Sequence, residues 1–482
     1  MKLSSVLKGI DYRINRECDI EIDELDYDSR SVKQGSLFFC VPGFETDGHK
    51  FAKGAVDNGA VAVVVNHILD DIDVPQIVVV DIRKTMAAAA VNYYGHPSSK
   101  MKMVGITGTN GKTTTTYMIK SIAEKAGMKV GLIGTIQNMI GDEIIHTERT
   151  TPESIDLQHL LFDMHKSGCE LVVMEVSSHS LVLDRTYGID FDIAIFSNLT
   201  QDHLDFHKTF KEYADAKALL FAQSEISLIN IDDPASSVMI DAAKGKVATY
   251  AIDCKADFNA EKIQMTSTST SFRLNSSYIT ADLSVAIPGR FTVYNTLASA
   301  SACSLLGIND SDIVKALSEL KGVDGRFQAL NTHNGCTMIL DYAHTPDSLK
   351  NVLETARGFV KGRLISVFGC GGNRDATKRP KMGAISASLA DFTVVTTDNP
   401  RFEKPSDIIA DIVEGLKDVP KDKYICIENR VDAIRYALEN SEPDDVIILA
   451  GKGHETYQEI KGVKHDFDEK KIVAEIVSDL MK

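Results

Sequence analysis

In the stretch GITGTNGKTTTT, residues 105–116, two glycines, a lysine and a threonine stand where a loop can hold an anion together with a metal ion. Gly108 and Gly111 let backbone N–H groups turn towards a phosphate with no Cβ in the way. Lys112 offers a cation to β/γ oxygens, and the Thr113 hydroxyl offers a ligand to magnesium. The spacing G-x-x-x-x-G-K-[ST] is not met in full, because Ile106 occupies the position of its first glycine. The apolar run MVGI before the loop and the helical pattern YMIKSIAEKAG after it still supply the strand and the helix N-terminus that favour a phosphate.

Further along, MEVSSHSL brings Glu175 to the end of the apolar run LVVM, as a second magnesium ligand or a solvated strand end. SNLTQDHLDFH packs Asp202, His203, Asp205 and His207 together, either as metal ligands or as a polar turn with helix-capping carboxylates. HKTFKEYADAKALLF reads as an amphipathic helix carrying Lys217. Most helix lysines are solvated. The alternative is carbamoylation by CO2, which turns the cation into a metal-binding carboxylate. It requires a neutral amine, and burial near metal ions lowers the ordinary lysine pKa of about 10.4 towards that state. Near the C-terminal third, TTDNPRFEKP places Asp398-Asn399-Pro400-Arg401 in a turn stiffened by its proline. Arg401 there presents a planar fork of donors that fits a carboxylate.

These groups need a scaffold. A chain of 482 residues is too long for one core, and three units fit both its length and its pattern. Residues 1–97 carry strand-like SLFFCVPG, AVAVVV and QIVVVDI and the helix-like KTMAAAAVNYYG, and HPSSKMK reads as a linker. Residues 98–328 open with the phosphate loop and alternate KVGLIGT, ELVVMEVSS, DIAIFSNLT and ISLINIDD with helical segments, which predicts a mostly parallel sheet. Within them, the Thr/Ser-rich stretch 245–290 predicts antiparallel strands. Residues 329–482 contain four apolar strands that each end in a polar, glycine-bearing turn, the place where open parallel sheets bind ligands. The expected class is α/β in three domains, with a central P-loop domain and a Rossmann-like C-terminal domain.

A net charge of −16 argues against a general nucleic-acid binder, so an anionic ligand has to be held by local basic groups and metal ions. No apolar run reaches the ~18 residues of a membrane span, and no secretory signal opens the chain. Eight cysteines without a C-x-x-C pair fit a reducing cytoplasm.

Taken together and in this order, GTNGKTTTT, MEVSSHSL, SNLTQDHLDFH, YADAKALLF, GRFTVYNTLASA, VDGRFQ, LDYAHTPDS, FGCGGNRDATKRPKMG and AGKGHETYQ resemble the Mur ligases, over essentially the whole chain. That family comprises cytoplasmic ATP-dependent ligases that build the peptide of bacterial peptidoglycan. The resemblance implies that Gly108, Thr109, Asn110, Gly111, Lys112, Thr113 and Thr114 hold ATP phosphates, and that Asn295, Arg326 and Asp341 surround the nucleotide. It implies two magnesium ions on Thr113, Glu175, His203 and a carbamoylated Lys217. Lys112, Glu175, His203 and Lys217 are thus the expected catalytic set. Ser29 and the turn Phe44-Glu45-Thr46 match a UDP-sugar pocket, and Thr150, Thr151, Ser177 and Arg185 match positions that hold a muramoyl peptide. Asp398, Asn399, Pro400 and Arg401, with Arg374, Gly451 and Glu455, match contacts to the incoming amino acid.

The reaction so implied is addition of meso-2,6-diaminopimelate to UDP-N-acetylmuramoyl-L-alanyl-D-glutamate through an acyl phosphate, by a monomer. An L-lysine-adding form is the nearest alternative, and Arg401 argues against it, since lysine has no second carboxylate. Folylpolyglutamate synthesis and an ATP-hydrolysing switch are the more distant ones. Two positions depart from the family pattern: Gln328 stands where a glutamate is usual, and Lys470 where many members have arginine.

Overall fold

The computed structural model describes residues 1–43, 46–147, 149–266, 268–330, 332 and 334–481. Phe44 and Glu45 of the expected UDP-sugar turn lie outside the described residues, as does the side chain of Asp205.

The N-terminal sheet has the strand order Arg13–Ile14, Gln76–Val78, Ala60–Val65, Ser36–Phe39, Glu24–Asp26, and only its first strand is antiparallel. The helix Ile82–Tyr93 closes this unit, started by Asp81, whose carboxylate accepts from Lys84 N at 3.0 Å. The expected linker is more structured than its composition suggested. Pro97–Lys100 forms a 3-10 turn with Pro97 and Ser98 buried, and the next strand begins at Lys102 with almost no slack.

The central sheet has eleven strands among the described residues. Lys102–Thr107 lies in its middle, parallel to Phe191–Phe196 on one side and Leu171–Glu175 on the other. Chain order therefore reverses at this strand, which opens a crevice at its carboxyl end. Helices cover both faces. Met118, Ile119 and Ile122 of Lys112–Lys125 share a core with Val293 and Leu297 of Arg290–Leu305. On the opposite face Leu157, Leu161 and Met164 of Ser154–Lys166 join Val172 and Met174. Each such side chain contributes about 1.5–3 kcal/mol on burial. The Thr/Ser-rich stretch forms an antiparallel meander, Phe258–Met265, Thr270–Ser276 and Thr280–Val285. Its first strand is an exception to the expectation: Lys246–Ala251 pairs in parallel with Ser224–Asn230, because it still follows a helical crossover, Ser236–Ala242.

The C-terminal sheet runs Gln328–Leu330, Thr337–Asp341, Val446–Ala450, Leu364–Phe368, Phe392–Val395, Tyr424–Cys426, parallel apart from the first strand. The chain enters it through a bent joint in which Gly322, Gly325 and Phe327 have φ of 111°, 64° and 46°. Phe327 N donates to Asp341 Oδ2 at 2.7 Å and Tyr342 N to Gly325 O at 3.0 Å. A Cβ on Gly325 would overlap His454 N. Both departures from the family pattern fasten this joint: Gln328 Oε1 accepts from Gly325 N at 3.0 Å, and Lys470 Nζ reaches Asp324 Oδ1 at 2.8 Å.

Candidate active site

Residues 108–111 turn between the strand Lys102–Thr107 and the helix Lys112–Lys125, with Gly108 at φ 151° and Gly111 at φ 89°. Neither glycine has room for a side chain: a Cβ would overlap Ser197 Oγ at the first and Asn295 Oδ1 at the second. The loop is moored by the end of the neighbouring strand. Asn110 N donates to Asn198 Oδ1 at 2.9 Å, Ser197 Oγ to Asn110 O at 2.7 Å, and Thr109 N to Asn198 O at 2.9 Å. Ser197 and Asn198 escaped the sequence reading, which followed the acids and histidines of SNLTQDHLDFH. Their signal was their place at the end of a strand flanking the loop.

Two lysines meet on one carbonyl. Gly108 O accepts from Lys112 Nζ at 2.8 Å and from Lys217 Nζ at 2.9 Å. Lys217 is only 1% exposed, and its ammonium lies 4.5 Å from the centre of the Tyr213 ring. Burial, then the charge of Lys112, holds it well below the ordinary lysine range, against the pull of Asp202. Lys112 is also lowered by burial, while Glu175 and Asp202 draw it back up. Thr113 Oγ1 accepts from Arg326 Nη2 at 3.0 Å, and Thr114 is buried in the same helical turn. The Arg326 guanidinium stacks 4.6 Å over Tyr342, and its buried Nε has no partner among the described residues. Asp341, raised by burial against the charge of Arg326, accepts from Phe327 N and Ala343 N.

Glu175 is buried at its strand end, so the solvated alternative does not hold. Its Oε1 accepts from Thr135 N at 2.9 Å and its Oε2 from Thr135 Oγ1 at 3.0 Å. Thr150 Oγ1 pairs with Thr135 Oγ1 at 3.0 Å, and Thr151 Oγ1 donates to Glu175 O at 2.9 Å while accepting from Ser177 N at 3.2 Å. Arg185 Nη1 donates to Thr151 O at 3.1 Å. The four residues expected at the muramoyl peptide thus border Glu175. Buried Glu153 organises their edge, pairing with Arg185, Arg149 and, from the N-terminal unit, Arg83.

His203 adopts a left-handed φ of 55° and faces His179 edge-on at 4.9 Å. Its neighbour Asp202 proves to be the link between units. Buried Asp202 lies 3.4 Å from His203 Nε2, 3.7 Å from His344 Nε2 and 3.8 Å from Lys378 Nζ. Asn110 Nδ2 adds a second tie, to Asp347 at 2.8 Å. Asp202, His344 and Lys378 were not singled out as a group, since sequence gives no sign that the three meet.

In the C-terminal unit Asp398, Asn399 and Glu455 surround a fully buried lysine, Lys452, which the sequence reading also passed over. Its Nζ lies 3.0 Å from Asn399 Oδ1, 3.3 Å from Glu455 Oε2 and 3.6 Å from Asp398 Oδ1. Asn399 Nδ2 donates to Glu455 Oε2 at 2.8 Å, and Gly451, at φ 119°, packs on Asp398. Pro400 O accepts from Glu403 N at 3.0 Å, closing the turn. A Cβ on Gly371 would meet Arg401 Nη1 at 2.9 Å and Arg374 Cγ at 3.8 Å, so both arginine side chains border that glycine. Ser29 and Thr46 remain in the N-terminal unit with local bonds, Asn58 Nδ2 to Ser29 O and Gly43 N to Thr46 O.

The arrangement suits a polyphosphate and a hard cation. The glycine loop has no room for Cβ atoms, two lysines converge on it, an arginine nitrogen is orphaned beside it, and Thr113 and Glu175 offer oxygen. Among the described residues no three His, Cys, Asp or Glu side chains gather into a metal site of their own. A magnesium ion at such a place would draw part of its shell from phosphate oxygens and water. No described helix is long and apolar enough to cross a membrane.

Comparison with known proteins agrees over the full length. Residues 21–94 match the Mur ligase family catalytic domain, 106–303 the Mur ligase middle domain and 325–453 the Mur ligase glutamate ligase domain. A protein of Clostridium botulinum named UDP-N-acetylmuramoyl-L-alanyl-D-glutamate--2,6-diaminopimelate ligase is 48% identical over the whole of both chains. One of Clostridium acetobutylicum with the same name, numbered 1, is 50% identical, again end to end. A solved structure bearing that ligase name is 31% identical, covers 100% of this chain and 99% of its own, and superposes with a TM-score of 0.70. The MurF ligase of Thermotoga maritima in complex with ADP shares the fold at 18% identity, covering 95% of this chain and 96% of its own, with a TM-score of 0.64. The chain belongs to the Mur ligase family.

Proposed function

We propose that this chain is an ATP-dependent ligase that joins meso-2,6-diaminopimelate to the D-glutamyl carboxylate of UDP-N-acetylmuramoyl-L-alanyl-D-glutamate. The observation that carries the reading is the meeting of Lys112 and Lys217 on the Gly108 carbonyl, at the crevice where Glu175 and Asp202 also lie. In a water-poor site Lys112 stabilises charge that develops during phosphoryl transfer, and Lys217 beside it offers a buried amine for modification into a metal ligand. The γ-phosphoryl group of ATP passes to the glutamyl carboxylate as its bond to the β-phosphate breaks, giving an acyl phosphate and ADP. The amine of the incoming amino acid attacks its carbonyl, and the tetrahedral intermediate releases phosphate. No protein nucleophile takes part.

In this reading the loop N–H groups and Lys112 hold the nucleotide phosphates, while Asn295, Arg326 and Asp341 surround the nucleotide. Thr150, Thr151, Ser177 and Arg185 orient the peptide beside Glu175, and Ser29 lines the UDP-sugar pocket. Thr113, Glu175, His203 and a carbamoylated Lys217 would hold magnesium, which would supply positive charge to the transferring phosphoryl group. The buried, depressed amine of Lys217 suits carbamoylation: it adds to CO2, forming an N–C bond and losing a proton. The enzyme works in the cytoplasm as a monomer.

The choice of amino acid falls to Arg401, with Arg374, Asn399 and Glu455 around it. Both this arginine and the names of the full-length relatives favour diaminopimelate over lysine. The test is phosphate release with ATP, Mg2+ and the muramoyl dipeptide nucleotide, with meso-diaminopimelate and L-lysine in parallel and products weighed by mass spectrometry. A charge-assisted pair predicts a preference for diaminopimelate of about one to two decades in kcat/KM. Equal use of lysine defeats the specificity, and phosphate release without amide formation defeats the ligase.

The glycine loop makes its own prediction. Gly108→Ala has to push Ser197 and Asn198 aside, and is expected to weaken binding of a non-hydrolysable ATP analogue about tenfold by titration calorimetry.

A further inference from the structure

Arg401, on which the choice of amino acid rests, is fastened by the protein's own groups. Its Nε donates to Glu459 Oε2 at 3.1 Å and its Nη1 to Gly372 O at 2.9 Å. Glu459 lies on the hairpin Tyr457–Ile460 and Val463–Asp466, a two-stranded sheet separate from the main one. This hairpin is laced to the 398–401 turn along the backbone as well. Arg401 N donates to Glu459 O at 3.1 Å and Lys461 N to Arg401 O at 2.7 Å. Glu459 N donates to Asn399 Oδ1 at 2.9 Å, and Gln458 Nε2 to Asp398 O at 2.7 Å. Arg401 also holds a φ of 50°, a left-handed conformation disfavoured for any residue with a Cβ. The hairpin bonds are what keep it there.

A free arginine side chain gives up rotamer entropy when it grips a carboxylate, and a fastened one has already lost it. With Nε and one Nη engaged, the plane of the guanidinium is set, and the rest of its five-donor fork stays available. Both side chains are mostly buried, which shields the pair from water.

We propose that Glu459 is a positioning residue for amino-acid selection: its carboxylate fixes the Arg401 guanidinium so that the remaining donors meet the distal carboxylate of a diacidic amino acid. This rests on the reading of Arg401 given above. Glu459 itself touches neither substrate nor reacting atoms.

The test is steady-state kinetics at saturating ATP and muramoyl dipeptide nucleotide, varying meso-diaminopimelate. Glu459→Ala is expected to raise KM for diaminopimelate about tenfold while kcat and the KM for ATP stay within about twofold. Glu459→Gln, whose amide oxygen still accepts from Nε, is expected to restore most of the loss. Arg401→Ala and the double variant Arg401→Ala/Glu459→Ala are expected to share one KM, since Glu459 acts only through Arg401. A KM that is unchanged or lower in Glu459→Ala, with a raised KM in Arg401→Ala, overturns the role of Glu459 and leaves that of Arg401. A fall in kcat together with a raised KM for ATP marks a merely structural hairpin and overturns it too. An unchanged KM in Arg401→Ala defeats the underlying reading, and this inference with it.

Discussion

Lys217→Met is expected to lower kcat by about a thousandfold, the upper end of what one charge-stabilising group supplies. The loss follows whether the residue acts as an ammonium or as its carbamate, because methionine can be neither. Lys217→Arg separates the two: it keeps the positive charge and cannot take up CO2. An arginine variant as inactive as the methionine one assigns the work to the carbamate; a largely active one assigns it to the cation. The same Met substitution is expected to leave the unfolding midpoint unchanged or raised. It removes a buried amine that, among the described residues, donates to one carbonyl and lies over one aromatic face, and replaces it with an apolar chain of similar length. Activity lost while stability is kept is the signature of a group retained for chemistry. A clear drop in the midpoint would show that Lys217 holds the loop in place instead.

Glu469→Ala is expected to destabilise the C-terminal unit by about 3–5 kcal/mol, because it strands a buried guanidinium. Arg430 and Glu469 are both fully buried and pair through Nε and Oε1 at 2.6 Å. Arg430 Nη2 then donates to Ala450 O at 2.8 Å and Nη1 to Thr397 O at 3.4 Å. Ala450 ends one strand and Thr397 lies two residues past the end of another, and Leu364–Phe368 runs between those two strands. The pair therefore staples the two turns that carry Asp398 and Gly451. Urea unfolding read by hydrogen exchange in peptides spanning these turns measures the loss, and a change under about 1 kcal/mol would show that water relieves the stranded charge. Replacing both partners with methionine and leucine is expected to cost less than either single change, because no charge is then left unpaired.

What the sequence disclosed, and what it did not, follows the range of the interactions. Strand, glycine loop and helix around Lys112 could be read because each is specified within about a dozen residues, by apolar runs and by backbone freedom at Gly108 and Gly111. The alternation of strands and helices likewise announced parallel sheets. HPSSKMK could be read as a connection between units, but the burial of Pro97 and Ser98 in a 3-10 turn could not, because proline and serine suit slack linkers and tight turns alike. Lys246–Ala251 misled because it was grouped with the Thr/Ser-rich residues after it, whose composition does not extend to this strand and says nothing of its direction. Asp202, His344 and Lys378 meet across more than a hundred residues of chain, and Lys452 gathers Asn399, Asp398 and Glu455 from two separate turns. No local pattern encodes such meetings. Glu175 was read at its strand end, yet only packing showed that it is enclosed by Thr135.

The joint ahead of the C-terminal sheet has a mechanical consequence. Gly325 is pressed against His454, its carbonyl is held by Tyr342, and Phe327 is held by Asp341, so residues 325–327 ride with the turn that carries Gly451 and Lys452. A swing of this unit would therefore turn upstream, at Gly322 with its φ of 111°, and would part Arg326 from Thr113 of the central unit. From there the amino-acid turn sits at the end of a stiff lever, and a small rotation at one glycine sweeps Arg401 through a long arc.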